Sequence, residues 1–261
     1  MTAPYYRRHR LDAIREFGAA FHFRRHRLYQ PQAFLAHLGI TEEEAFAGYE
    51  GWRPLLEAAV LAVDDAGNGR QGGCSMEDGM ILYGLARALR PQVVIETGVA
   101  AGVSTSFLGA AMVENGTGRL YSLELPPVQT HNWAQDDGAV FDWPEKGVGW
   151  VIPDAIRRGL ENRHILLLED VRTALPRLLA ECQSVDLYFH DDLHTPDHMR
   201  WQYELVWPHI SPGGVLASDD ANVGWIDFCS NLNLRSSRFT NVQRLTAVRR
   251  PLETRTLPLA M

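Results

Sequence analysis

Over the first ninety positions the apolar residues recur at helical spacing rather than in alternation. Thr41 and Glu44 have the spacing of a capping box, and the stretch behind them carries Phe46, Leu55, Leu56, Val60, Leu61 and Val63 up to about Asp65. A glycine-rich turn follows at 67–73. Ser75 then reads as the N-cap of a helix through Met80, Leu82, Leu85 and Leu89, which Pro91 stops. From Gln92 the pattern changes to short, continuous apolar runs at Val93–Ile95, Leu120–Leu125, Ile165–Leu168, Val185–Phe189 and Gly214–Ala217, the last entered by a turn at Ser211–Gly214. Such runs predict strands buried on both faces. Helical patterns at Val103–Val113, Val171–Leu179 and Asp197–Trp207 separate most of them. Strand and helix in alternation predict an α/β fold, a doubly wound, mostly parallel sheet with right-handed crossovers. Two alternating segments near the end, Arg238–Val242 and Arg244–Arg249, are candidates for late antiparallel strands.

The division expected from this pattern is an N-terminal helical segment, 1–90, and a core, 91–261. Residues 126–152 follow neither period and hold Trp133, Trp143 and Trp150 among prolines and glycines. A stretch this long without periodicity is expected to act as a lid or substrate wall. Composition sets the outer limits. At 46% apolar and 22% charged the chain is that of an ordinary globular protein, and its net charge of −7 disfavours a general affinity for phosphate backbones. Cys74, Cys182 and Cys229 lie far apart, so neither a disulfide framework nor a thiolate zinc site is expected. No apolar run reaches the roughly 18–20 residues of a membrane span. The N-terminus lacks the apolar core of a signal peptide, and a cytoplasmic location is expected.

The chemistry gathers where the strands end. The first core strand runs into a turn, Glu96 to Ser104, in which Gly98 and Gly102 let the backbone bend tightly and approach a ligand. Ligands of open α/β sheets bind beyond the carboxyl ends of the strands. Glu124 ends the second strand, where a carboxylate can accept from two ribose hydroxyls. Asp170 ends the third, where it can accept from an adenine amino group. Glu96, beside the turn, suits a cationic amino acid moiety. This ring of carboxylates repels a phosphate-bearing cofactor but not a sulfonium or an ammonium. The dinucleotide fingerprint and the P-loop lysine are both missing.

The fourth and fifth strands end in a second constellation. Adjacent parallel strands bring Asp191 near Asp219 and Asp220, and three converging carboxylates call for a hard cation such as Mg²⁺. Asn222 is a further possible ligand. His194 is the best candidate for a general base, with His190 and His198 weaker ones.

At these residues the chain resembles class I methyltransferases that use S-adenosylmethionine (SAM). Within that class it is most similar to the branch of macrolide-sugar O-methyltransferases and cephalosporin-hydroxylase-like proteins. The motifs that carry the resemblance are VIETGV at 94–99, LYSLELPP at 120–127, GWVIP at 149–153, HDDLHT at 190–195, WPHISPGG at 207–214 and SDD at 218–220. The resemblance implies a Rossmann-like sheet of the class I type. It also implies SAM contacts by Glu96, Gly98, Gly102, Ser104, Glu124 and Asp170, and a divalent metal held by Asp191, Asp219 and Asp220. Three positions depart from the pattern: Glu124 stands where Asp is commoner, Glu169 where Gly is commoner, and Leu193 where relatives often place an Asp as base. His194 is then the substitute.

The function implied is metal-assisted O-methylation of a small hydroxylated molecule such as a sugar-bearing secondary metabolite. A homodimer is expected to form through the N-terminal helices and to close the substrate site. One alternative is a SAM-binding enzyme of the same fold with a non-methylating or hydroxylase-like role. Another is a nucleic-acid methyltransferase, for which the basic runs at 7–10 and 24–27 would be the contact. A nicotinamide-dependent dehydrogenase fits neither the glycine turn nor the acidic ring.

Overall fold

The computed structural model describes residues 27–28, 30–65, 74–126, 146–239 and 245–252. The basic runs at 7–10 and 24–26, the turn at 67–73, most of the expected lid (127–145) and residues 240–244 lie outside the described residues.

Four helices come first: α1 (Pro31–His37), α2 (Glu42–Phe46), α3 (Tyr49–Asp65) and α4 (Met76–Leu89). The Thr41 hydroxyl accepts from the Glu44 backbone at 3.2 Å while the Glu44 carboxylate takes the Thr41 N–H at 3.1 Å, which closes the capping box. Ser75 caps α4 by accepting from the Asp78 N–H. The α4 helix ends at Leu89 with Arg90 in the left-handed region, and Pro91 follows. The core elements are β2 (Val93–Thr97), α5 (Val103–Asn115), β3 (Arg119–Glu124), α6 (Asp154–Leu160), β4 (His164–Leu168), α7 (Val171–Cys182), β5 (Val185–His190), α8 (Pro196–Val206), β6 (Ile210–Ser218), α9 (Val223–Asn231), β7 (Ser237–Phe239) and β8 (Thr246–Arg249).

Among the described residues the sheet has eight strands in the order β1-β7-β8-β6-β5-β2-β3-β4, where β1 is the two-residue strand Arg27–Leu28. From β6 to β4 every pairing is parallel, and β8 lies antiparallel to both β6 and β7. The late antiparallel strands are therefore present. Pairing of β1 with β7 and the helices α6 and α9 have no counterpart in the sequence expectation. The β6 strand is also longer than expected. Ser211 to Gly214, which read as a turn, lie inside it as an irregularity in its register with β5. Gly213, with φ of +82°, allows that bend, and Gly213 and Gly214 exchange hydrogen bonds with Arg250.

The sheet is covered on both faces, which explains the continuous apolar strands, except at the edge strand β4, where Leu166 and Leu168 stay exposed. Phe34, Leu35, Leu56, Leu82, Phe107, Val94 and Leu187 share one core cluster, so α1–α5 pack together over one face. The opposite face carries Leu175, Leu178, Tyr203, Trp225 and Phe228 from α7, α8 and α9. Because α5 lies between the sheet and the N-terminal helices, Val103 to Met112 are all buried, and the helix has no polar face. No helix among the described residues is long and apolar enough to cross a membrane.

Trp225 anchors the second face. It is 1% exposed and meets the Tyr203 ring edge-on at 5.1 Å. Trp225→Ala should lower unfolding free energy by about 3–5 kcal/mol in urea titrations. A loss under about 1 kcal/mol would mean that α9 is not integral to this core.

Candidate active site

The chain leaves β2 for β3 and β4 on one side, then returns to place β5 on the other side of β2. That reversal opens the crevice in which doubly wound sheets bind ligands. Thr97 and His190 are register partners at its floor, and the Asp191 N–H donates to the Thr97 carbonyl at 2.8 Å. Gly98 follows Thr97 with φ of +83°, and a Cβ there would lie 1.9 Å from the Asp191 carbonyl oxygen. At Gly102, φ is +97° and a Cβ would meet Ile152 Cγ1 at 2.6 Å and Gly149 Cα at 2.8 Å. Both glycines thus serve close approach of the chain to itself: Gly98 to the loop after β5, Gly102 to the segment before α6. Gly149 and Val151 donate to the carbonyls of Ala100 and Ala101 at 2.9 and 3.0 Å, so the end of the expected lid is docked on the glycine turn.

The acids around this turn hold distinct positions. Glu96 is fully buried. One of its carboxylate oxygens accepts from Ser104 Oγ at 2.6 Å, the other from Thr105 Oγ1 at 2.7 Å and Ser122 Oγ at 2.8 Å. Burial pushes its carboxyl up, and the three hydroxyls oppose that push. Glu96 and Ser104 therefore brace β2, β3 and α5 beneath the turn, with their polar atoms engaged by one another. Glu124 is partly exposed and accepts from the Val99 and Ala100 N–H groups, both at 2.8 Å, and from Leu125 N–H at 2.9 Å. Asp170 is partly exposed and caps α7 through the Arg172 N–H at 2.7 Å. Glu169 turns away to pair with Arg177.

Beyond the ends of β5 and β6, Asp191, His194 and Asp219 offer donor atoms that all lie within 4.8 Å of one another. The Asp219 N–H donates to the His190 carbonyl at 2.9 Å, which fixes the second loop against the first. Asp219 is 7% exposed, and its Oδ1 is buried with no hydrogen-bond partner among the described residues. Burial and then neighbouring negative charge hold both Asp191 and Asp219 well above the usual carboxylate range. Two sequence expectations land elsewhere. Asp220 is exposed, with φ of +43°, and stands outside this donor group although its charge acts on Asp191. Asn222 caps α9 through Gly224 N–H and donates to the His194 carbonyl at 2.7 Å, so it holds the loop. The sequence reading missed Asp78, on the first turn of α4. It is 2% exposed, and its charge is the foremost one raising Asp219. Its only signal was the cap spacing from Ser75.

On the inner side of the same loop, Asp192 faces His190 Nε2 at 2.9 Å and His198 Nε2 at 3.2 Å. Burial would raise Asp192, but these two histidines hold it well below the usual range. Gln202 Nε2 lies 2.8 Å from both Asp192 oxygens, and Gln202 Oε1 accepts from Thr97 Oγ1 at 3.1 Å and from the Tyr188 hydroxyl.

Comparison with known proteins bears on the fold that frames this crevice. Residues 95–221 match the family described as a methyltransferase domain. No curated protein matches the chain in sequence. Among solved structures, the chain is similar to an O-methyltransferase from Bacillus cereus in complex with SAH. Identity there is 17%, the TM-score is 0.51, and 76% of this chain and 91% of that one are covered. The O-methyltransferase TomG from Streptomyces achromogenes, involved in tomaymycin synthesis and solved with SAM, is 18% identical with a TM-score of 0.52. It covers 76% of this chain and 89% of its own. SAH-bound methyltransferase PaMTH1 from Podospora anserina is 15% identical with a TM-score of 0.52, over 75% of this chain and 87% of that one. At these identities the structures establish the fold.

The brace beneath the turn carries its own pH signature. His164 Nε2 lies 3.1 Å from Ser122 Oγ, which donates to Glu96. Burial, with the Arg157 charge adding to it, pushes the His164 imidazole down from 6.5 to about 4. The unfolded chain therefore binds the proton first, and stability present above pH 6.5 is lost as pH falls toward 4. The full loss is on the order of 3 kcal/mol. His164→Gln should remove that part of the slope, measured as the difference from the parent protein in urea titrations between these limits. An unchanged slope would show that His164 titrates normally.

Proposed function

We propose that this chain, whose residues 95–221 match a methyltransferase domain on a sheet of the class I fold, moves a methyl group from SAM to a hydroxyl oxygen of a small polar molecule, aided by a divalent ion. The observation that carries this reading is the convergence of Asp191, His194 and Asp219 on the crevice at the glycine turn. The donor set fits a cation: a buried Asp219 oxygen has no hydrogen-bond partner among the described residues, and burial and neighbouring negative charge push both carboxyls up, which a positive charge between them would relieve. Asp191 and Asp219 would hold the ion, with Asp78 and Asp220 adding negative potential from further out. When bound, SAM supplies an activated methyl group and the ion supplies Lewis acidity toward a hydroxyl.

The chain's own groups do the rest. Glu124 lies at the carboxyl end of β3, where it can accept from a ribose diol while it keeps the turn folded through Val99 and Ala100. Asp170, at the end of β4, is placed for an adenine amino group. The helix start at Gly102 and the docked segment 149–152 wall the other side. His194 Nε2 lies 3.6 Å from Asp191 Oδ1 and is itself buried although the ring is partly exposed, so it can take a proton from a hydroxyl that enters beside Asp191. The acidic surroundings favour a neutral or cationic acceptor over a phosphorylated one. A secondary metabolite bearing a sugar or another polyol meets that requirement.

Incubation with methyl-labelled SAM and a panel of polyols and glycosides, read by mass spectrometry, tests the reaction. A chelator should abolish turnover and leave SAH binding nearly intact, and Asp219→Asn should do the same. His194→Ala should lower the rate by about 10²–10⁴-fold, the usual worth of a positioned base. Undiminished turnover in chelator would remove the metal from the mechanism. A preference for NAD over SAM in calorimetry would remove the whole reading.

A further inference from the structure

The methyl-transfer reading makes no use of the cluster on the inner side of the loop, and as a hydrogen-bond network that cluster does not close. His198 Nε2 lies 2.6 Å from Gln202 Nε2 and 3.2 Å from Asp192 Oδ1. A ring nitrogen is either a donor or an acceptor. As N–H it opposes the Gln202 amide hydrogens, and as a lone pair it opposes the carboxylate. His190 is fully buried, and its Nε2 lies 2.9 Å from the same Asp192 oxygen but out of line for a hydrogen bond, with no partner among the described residues. Two imidazole nitrogens and a carboxylate thus converge within 4.8 Å of one another.

We propose that His190, Asp192, His198 and Gln202 form a binding site for one transition-metal ion of the Zn²⁺ or Co²⁺ class, separate from the oxygen-rich group at Asp191 and Asp219. Donors at about 2.0–2.1 Å from such an ion are spaced about 2.9–3.4 Å apart, depending on coordination geometry. The separations of His190 and His198 from Asp192, 2.9 and 3.2 Å, fall in that range, whereas Gln202, 2.6 Å from His198 and 2.8 Å from Asp192, has to draw back slightly to join them. The amide of Gln202 completes the set by turning over. Its oxygen then faces the ion as a fourth ligand, and its nitrogen faces the hydroxyls of Thr97 and Tyr188, which accept as readily as they donate. His198 then carries its proton on Nδ1, where Arg172 Nη2 stands at 3.4 Å. Arg172 is exposed and lies over the Trp201 ring, 5.0 Å from its centroid, so it can leave His198 and keep that partner. Imidazole nitrogen selects borderline ions over Mg²⁺, so the two groups differ in metal as well as place. The ion would staple the end of β5 to α8 and so set the position of the loop that carries Asp191 and His194.

Titration of the metal-stripped full chain with Co²⁺, followed by visible absorption, tests this without SAM or substrate. In excess Mg²⁺ one Co²⁺ per chain should give the bands of a four-coordinate nitrogen–oxygen site, and these should survive Asp219→Asn. His198→Gln should abolish the bands. Gln202→Glu supplies a second readout: it should tighten Co²⁺ binding and raise the thermal midpoint in the presence of Co²⁺. Without a metal it sets two carboxylates against each other and should lower the midpoint. Absence of the bands in the parent protein, their displacement by Mg²⁺, their loss with Asp219→Asn, or no gain in affinity from Gln202→Glu would overturn the proposal.

Discussion

β2 and β5 lie side by side although two other strands separate them in sequence, and the contact at their carboxyl ends governs the site. Thr97 pairs with His190, the Asp191 N–H closes on the Thr97 carbonyl, and Gly98 passes so close to the Asp191 carbonyl that no side chain fits between them. The glycine turn and an acidic loop are thereby pressed together by backbone packing alone. The next strand extends the arrangement, since the Asp219 N–H takes the His190 carbonyl and brings a third acid into the same space. Any residue but glycine at position 98 would force the two loops apart.

Consecutive aspartates leave that loop with opposite electrostatic fates. Asp191 meets Asp219, Asp220 and Glu96, and burial and repulsion push its carboxyl up. Asp192 meets His190 and His198 and is held down. β5 ends at His190 and the chain bends at Asp192, so one peptide step separates an acid among acids from an acid surrounded by nitrogen donors. The outer acid faces the crevice, and the inner one ties the loop to α8. Positioning and chemistry are thus divided between adjacent residues.

Much of this was legible in the sequence because it rests on local patterns. Continuous apolar runs marked β2 to β5, Thr41 and Ser75 announced their caps, and glycine and acid at strand ends marked the crevice. Effects of register and depth were not legible. Sequence placed Asp191, Asp219 and Asp220 together by strand adjacency, but the backbone turns at Asp220 and leaves it exposed, while His194 swings into the group. Asp78 belongs to a helix more than a hundred residues from the aspartates, and its cap spacing explained it fully until the fold set it beside Asp219. Glu96 looked available to a ligand, yet Ser104, Thr105 and Ser122 enclose it. The 211–214 segment looked like a turn because its glycines bend a strand that hydrogen bonding to Arg250 keeps intact.

The central claim is that the bound methyl donor and a cation at Asp191 and Asp219 share one crevice. Nuclear magnetic resonance of SAM labelled with ¹³C at its methyl group, bound to the protein and titrated with paramagnetic Mn²⁺, measures that directly. The account predicts strong broadening of the methyl signal, reversed by Mg²⁺ and absent in Asp219→Asn. A methyl signal that stays sharp while both ligands are bound would place the cation away from the reacting carbon and contradict it.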